Sequence, residues 1–220
     1  MLVLSHRGHP GRPENTLDAF AAAVDLGADG IETDVRLSAD GLPILFHDRV
    51  LRDGHAVASL THAQLSATVG FHVPLLDEVL ARWNRIVWNV EVKVPEAADA
   101  VADILARQKH RERFLVTSFW HNVVYDVARR VDVACGVLVD HHPATPDDAL
   151  KLLPRHALIR TIVWDFEVVD AALLDVLRDG GIRSFAYGLR GPDEHRRAVG
   201  LGLAGVITDE PQLLRPHGAG

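Results

Sequence analysis

Glu32 and Asp34 stand two residues apart in the stretch GADGIETDVRLSADGLPILFHD, which closes on His47-Asp48. Glu91 and Lys93 repeat that spacing in WNVEVK, and His6-Arg7-Gly8 ends the apolar opening run MLVLSHRG. Residues two apart on an extended strand share one face. Three carboxylates brought to one place repel each other unless a cation lies between them. An all-oxygen donor set favours a hard ion, Mg²⁺ or Ca²⁺, over zinc. Arg7 and Lys93 beside that ion make an anion site, one cation a planar fork and the other a point charge. His6 and His47 are of a type suited to general acid and general base. Metal, anion clamp and acid/base pair together describe phosphodiester cleavage.

Each piece alone has a plainer explanation. The chain holds 13 histidines, so one of them carries little weight. Glu32 or Glu91 alone is explained equally well by an ion pair with Lys or Arg. The combination differs, because inward acids on two strands are costly to bury without a partner. The remaining histidines, His195 among them, are expected on loops or helix surfaces, with His121 at a helix start. Phe119, Trp120 and Trp164 are candidates for a pocket wall, with core packing expected for at least one.

The elements that must position these residues are short apolar runs alternating with helical patterns. Strands are expected at 2–5, 30–35, 43–46, 86–92, 114–118, 134–139, 158–164, 182–187 and 205–208. Helices are expected at 17–26, 76–82, 96–108, 121–130, 147–153, 168–178 and 193–200. Asn15 or Thr16 can cap the first helix. The alternation argues for a mostly parallel sheet. Nine strands are one too many for an eight-fold barrel, and the gap between Asp34 and His47 accounts for the extra one. A parallel crossover needs a dozen or more residues and normally a helix, whereas Asp40-Gly41 is a turn signal. The segment 43–46 is therefore expected to fold back on the second strand. The expected architecture is a (β/α)8 TIM barrel with an antiparallel hairpin arm after the second strand, as one domain over 1–220. In such barrels functional groups sit at the C-terminal ends of the strands, where all seven candidates fall. The tail RPHGAG is expected to fray.

Bulk properties narrow the function. The chain has 220 residues, 48% of them hydrophobic, enough for one sizeable core. A formal net charge of −7 argues against general affinity for nucleic acid or anionic membrane. The one cysteine, Cys135, has no partner for an internal disulfide, which fits a reducing compartment. No run approaches the ~18 apolar residues of a membrane span, and the N-terminus does not read as a signal peptide. A cytoplasmic protein acting on small molecules is the expectation.

At the residues named above, the sequence resembles the glycerophosphodiester phosphodiesterase family of the PLC-like phosphodiesterase superfamily. The matching blocks are HRG, PENT, GADGIETDV, DGLPILFHD, PLLDEVL, WNVEVK, TSF and LGLAGVITDEP, in family order over nearly the whole chain. The resemblance implies a barrel fold, a divalent cation, and hydrolysis of glycerophosphodiesters to glycerol 3-phosphate and an alcohol. It implies His6 and His47 as the acid/base pair, Glu32, Asp34 and Glu91 as metal ligands, and Arg7 and Lys93 as phosphate contacts. Glu14 and Asn15 of PENT are expected to organise the first loop. One departure lies at Ala186-Tyr187-Gly188-Leu189, where the family often carries a Trp-Thr-Val-Asn-like strand end. The segment after His47 is also short, which suits an open site and bulky or lipid-like alcohols. Two other readings use the same residues: a lysophospholipase D-like activity on lysophospholipids, and a non-catalytic barrel binding phosphorylated polyols. The two histidines argue against the last, since binding needs only the cations and the metal.

Overall fold

The computed structural model describes residues 1–214; the tail RPHGAG lies outside the described residues. Strands are β1 (Leu2–His6), β2 (Gly30–Leu37), β3 (Pro43–Leu45), β4 (Val87–Val92), β5 (Phe114–Ser118), β6 (Ala134–Val139), β7 (Ile159–Asp165), β8 (Arg183–Tyr187) and β9 (Gly205–Thr208). Helices are α1 (Leu17–Asp25), α2 (His62–Val69), α3 (Leu76–Arg82), α4 (Ala98–Ala106), α5 (His121–Arg130), α6 (Ala171–Asp179) and α7 (Gly191–Gly200). All strands but β3 pair in parallel, and β1 joins both β2 and β9, which closes the sheet into an eight-stranded TIM barrel.

Alternation along the strands divides the apolar residues between two layers. Leu4, Leu115, Leu138, Val163, Phe185 and Ile207 form one buried cluster, filling the barrel as layered side chains do in this fold. A larger cluster joins the strands' other faces to the helices, with Phe20 of α1 edge-on to Trp88 of β4 at 5.4 Å. Gly205 leaves the space that Phe185 occupies, since a Cβ there would lie 2.2 Å from its ring.

Strand β2 is longer than the barrel needs. Gly30 to Val35 pair with β4, and Val35 to Leu37 pair antiparallel with β3, Val35 opposite Leu45. The turn between them is held by the Ser38 hydroxyl, which donates to Asp40 at 2.6 Å, and by left-handed Gly41 (φ +78°).

Several elements differ from the sequence expectation. The 147–153 segment is a 3-10 helix, Pro146–Leu152, which ends there because Leu153 precedes Pro154 and is held extended (ψ 123°). The helices expected at 96 and 168 begin with 3-10 turns at Pro95–Ala97 and Phe166–Val168, and α6 starts only after Asp170, whose side chain caps Leu173 N. Helix α2 was absent from the expectation, although its signals are in the chain: a Thr61–Gln64 capping box and left-handed Gly70 at its end. Thr16, not Asn15, caps α1, accepting from Ala19 N at 3.2 Å. His195 is not on the surface. It lies buried on the side of α7 facing β9, its ring between Gly191 O (2.6 Å) and Thr208 Oγ1 (2.7 Å). Trp164 packs in the core, while Phe119 and Trp120 are exposed. Among the described residues no helix is long and apolar enough to cross a membrane.

Candidate active site

The site lies at the C-terminal ends of β1, β2 and β4, with the β3 arm beside them. Strand pairing aligns the donors: His6 is opposite Glu32, and Asp34 is opposite Glu91. Glu32, Asp34 and Glu91 are all buried. Each offers a carboxylate oxygen, and these oxygens lie within 4.8 Å of one another.

The chain leaves β1 through a tight turn that aims Arg7 across this cluster. Arg7 adopts φ +54°, unusual for a side-chain-bearing residue, and Gly8 follows at φ +96°. A Cβ on Gly8 would sit 2.6 Å from Ala19 Cβ of α1, so the turn requires glycine. Arg7 Nε then lies 2.9 Å from Asp34 Oδ2, and its terminal nitrogen donates to Glu14 at 3.0 Å. Lys93 Nζ reaches Glu91 Oε1 at 2.7 Å and Asp34 Oδ1 at 3.3 Å.

Charge balance in the cluster is uneven. Asp34 has both cations and accepts from Asn15 Nδ2 at 2.9 Å. Burial works against its ionised form, but Arg7, Lys93 and the Asn15 bond outweigh burial and hold its carboxyl below the usual range. Burial and the charge of Asp34 push Glu91 up, against the pull of Lys93. Glu32 is pushed well up, first by burial and then by Asp34 and Glu91. Burial works against both cations too, yet the acids keep Arg7 and Lys93 more firmly charged than usual.

Both Glu32 carboxylate oxygens are buried without a hydrogen-bond partner among the described residues. Unsatisfied buried oxygens beside two further carboxylates fit a divalent cation, which would relieve both burial and repulsion. The residues present therefore suit a hard metal ion.

The two histidines are held alike. His6 Nδ1 lies 2.7 Å from Asp209 Oδ1, and His47 Nδ1 lies 2.8 Å from Asp48 Oδ1. An ionised carboxylate only accepts, so each ring carries its proton on Nδ1 and leaves Nε2 for the site. His6 Nε2 is 3.9 Å from Glu32 Oε2. His47 belongs to the arm, and its carbonyl accepts from Arg36 Nε at 2.7 Å.

Residues 6–213 match the sequence model of the glycerophosphoryl diester phosphodiesterase family. The chain belongs to this family. It is a phosphoric diester hydrolase by that membership. It is 27% identical over 242 residues to the glycerophosphodiester phosphodiesterase of Caldanaerobacter subterraneus subsp. tengcongensis, covering 97% of this chain and 96% of that protein. Human lysophospholipase D GDPD1 is 27% identical, covering 96% of this chain and 84% of its own. The crystal structure of the Thermotoga maritima glycerophosphodiester phosphodiesterase superposes with a TM-score of 0.82 at 28% identity, covering 97% of this chain and 96% of that one. An Oleispira antarctica phosphodiesterase, solved with its product sn-glycerol-3-phosphate, shares the fold (TM-score 0.84, 24% identity, 96% and 94% covered).

Against this family's pattern, the structure gathers six of the seven candidate residues by direct contact: His6, Arg7, Glu32, Asp34, Glu91 and Lys93. The His47 ring bonds to Asp48 and to none of those six among the described residues. It reaches the cluster through the arm, where Phe46 N donates to Asp34 O at 3.0 Å. Sequence reasoning assigned no role to Asp48, Asp209 or Arg36, and offered Asn15 only as a helix cap or a loop organiser. Asp209 follows the last barrel strand, so the strand-end rule was the signal for it. On the far side of the mouth, Tyr187 ends β8 edge-on to Phe119 at 6.3 Å. Burial first, and then the nearby Asp165 and Asp140, push its phenol pKa up.

Proposed function

We propose that this chain is a metal-dependent glycerophosphodiester phosphodiesterase, releasing sn-glycerol 3-phosphate and an alcohol with His6 and His47 as the acid/base pair. The observation that carries this reading is the buried convergence of Glu32, Asp34 and Glu91 beside Arg7, Lys93 and the His6 ring. The names of the bacterial relatives and the product bound in the Oleispira enzyme support the substrate class.

Glu32, Asp34 and Glu91 would hold Mg²⁺ or Ca²⁺, which supplies Lewis-acid stabilisation to the phosphoryl oxygens. Arg7 and Lys93 bind the remaining phosphoryl charge and meet it as it grows in the transition state. One histidine takes a proton at Nε2 from the attacking oxygen while the P–O bond to the alcohol breaks. The other gives its Nε2 proton to the departing alkoxide, so the pair ends with its protons exchanged. Asp48 and Asp209, acceptors only, keep both Nδ1 atoms out of this exchange.

Release of glycerol 3-phosphate from glycerophosphocholine, with and without a chelator, tests the reading. No release with metal present, or full release after exhaustive chelation, counts against it.

One feature favours a substrate that carries an acyl chain on its glycerol, as a lysophospholipid does. A cavity of about 580 Å³ runs from His47, Glu14 and Asn15 over Phe46, Leu51, Val69 and Phe71. Its size falls within the range of small-molecule sites, and its apolar wall begins at the proposed catalytic histidine. The human relative's name, lysophospholipase D, points the same way. Comparing kcat/KM for lysophosphatidylcholine and glycerophosphocholine separates the two substrates.

A further inference from the structure

Asp209 lies 203 positions from His6 and meets it only because the barrel closes. Ser5 of β1 pairs with Thr208 of β9, so the next residue of each strand emerges side by side at the rim. His6 Nδ1 and Asp209 Oδ1 are 2.7 Å apart there, and that is the one hydrogen bond the Asp209 side chain makes among the described residues. The backbone behind Asp209 is pinned. Glu210 N donates to Thr208 Oγ1 at 2.9 Å, Glu210 accepts from Gly191 N at 3.1 Å, and buried Pro211 opens the following turn.

The Asp209 side chain is largely exposed. Exposed ion pairs contribute little to stability, so this contact has small value as a fold stabiliser. Its geometric consequence is larger. With Nδ1 held, the imidazole plane is fixed and Nε2 faces Glu32, at 3.9 Å. A ring free about its side-chain bonds would present that nitrogen only part of the time.

We propose that Asp209 is the positioning residue of His6, fixing the tautomer and the ring orientation that proton transfer requires. This rests on His6 acting in proton transfer as set out above. Asp48 holds His47 similarly but is its sequence neighbour. Asp209 makes the first histidine's alignment depend on the last strand of the barrel.

The test is a cycle of D209A, D209N, H6A and H6A/D209A, saturated with metal. Each is assayed on glycerophosphocholine and on a nitrophenyl phosphodiester, whose leaving group needs no proton. D209A is expected to lower kcat by about 10- to 100-fold, part of the roughly 10²–10⁴ that placed proton transfer contributes. KM should change by less than about twofold, since the ring is expected to act in the transition state rather than in ground-state binding. D209N should recover most of the loss, because its amide oxygen still accepts from Nδ1–H. D209A should remove nothing further from H6A, and its losses on the two substrates should follow those of H6A. Wild-type kcat in D209A, a loss confined to KM, or an equal further loss in the H6A background overturns the proposal. If D209A does not fold, D209N in both backgrounds decides between the same outcomes. Wild-type turnover by H6A on both substrates would overturn the two-histidine reading and this proposal with it. An impaired H6A beside an unimpaired D209A overturns the Asp209 role alone.

Discussion

Lys93 Nζ lies 2.7 Å from Glu91 Oε1, Glu91 on β4 and Lys93 two residues on, just past the end of that strand. The ammonium thus shares the ground proposed for a metal ion, and it also neutralises Asp34 at 3.3 Å. Removing it has two opposed effects. Lys93→Met should tighten Mg²⁺ or Ca²⁺ binding, because the ammonium no longer competes with the ion for Glu91 and Asp34 or repels it. The same variant should lower turnover, because a charge facing the phosphoryl group is gone. Calorimetric metal titration and steady-state kinetics read the two separately. Weaker metal binding in Lys93→Met would count against a metal among the carboxylates.

Glu32 makes the metal-free protein's stability depend on pH. Its folded-state pKa is raised, by burial first and then by Asp34 and Glu91. The folded state therefore holds a proton that the unfolded chain releases, and stability falls as pH rises from the ordinary glutamate value through the raised one. Asp34, with a lowered pKa, acts in the opposite sense and only at more acidic pH. Denaturant unfolding in chelator across pH 4 to 8 should show the decline, with saturating metal removing it. In metal-free buffer at pH 7, Glu32→Gln should be more stable than wild type. A flat profile would mean that Glu32 is not strained.

Asn15 holds Asp34 in place. Its amide donates to Asp34 Oδ2 at 2.9 Å, and its oxygen accepts from Thr33 Oγ1 at 2.6 Å and Asp34 N at 3.3 Å. Its backbone sits at φ +56° and it is buried. Asn15→Ala leaves those groups unsatisfied and strains the backbone, for an expected loss of about 1–3 kcal/mol. Asn15→Gly removes the strain and keeps only the hydrogen-bond deficit, so it should be the more stable of the two. Equal unfolding midpoints for both variants would show that the left-handed conformation carries no cost here.

Under the proposed mechanism, His6 and His47 divide the proton work. His6→Ala and His47→Ala should each lower turnover of glycerophosphocholine by roughly 10²–10⁴. On a nitrophenyl phosphodiester, the histidine that acts as general acid becomes nearly dispensable and the general base does not. Equal losses on both substrates would assign one ring to orienting phosphate instead.

Much of the site was legible in one dimension because its spacing is that of a strand. Glu32/Asp34 and Glu91/Lys93 are two apart, so one face was assured wherever those strands went. The eight-stranded barrel followed from alternating apolar runs and helices. Less legible were features set by competing local effects. Asp147 to Leu153 carries a helical pattern, but Pro154 forces Leu153 out of the helical region. Histidine identity alone could not distinguish exposed from buried, and His195 is buried because α7 turns that side chain onto Thr208.

The sequence by itself determined the residue types, their two-residue spacings and the fold class, because side-chain alternation and apolar periodicity are properties of the local chain. Tertiary structure alone decided which groups neutralise which. Arg7 reaches Asp34 through a left-handed turn, Lys93 reaches it from just past the end of the neighbouring strand, and Glu32 is left with no hydrogen-bond partner among the described residues. It alone brought Asp209 to His6, since a contact across 203 residues exists only where closure of the sheet sets β9 against β1. Lys93–Glu91 and His47–Asp48 are local pairs, but the cross-strand distances and the burial around Glu32 and Asp34 depend on that closure.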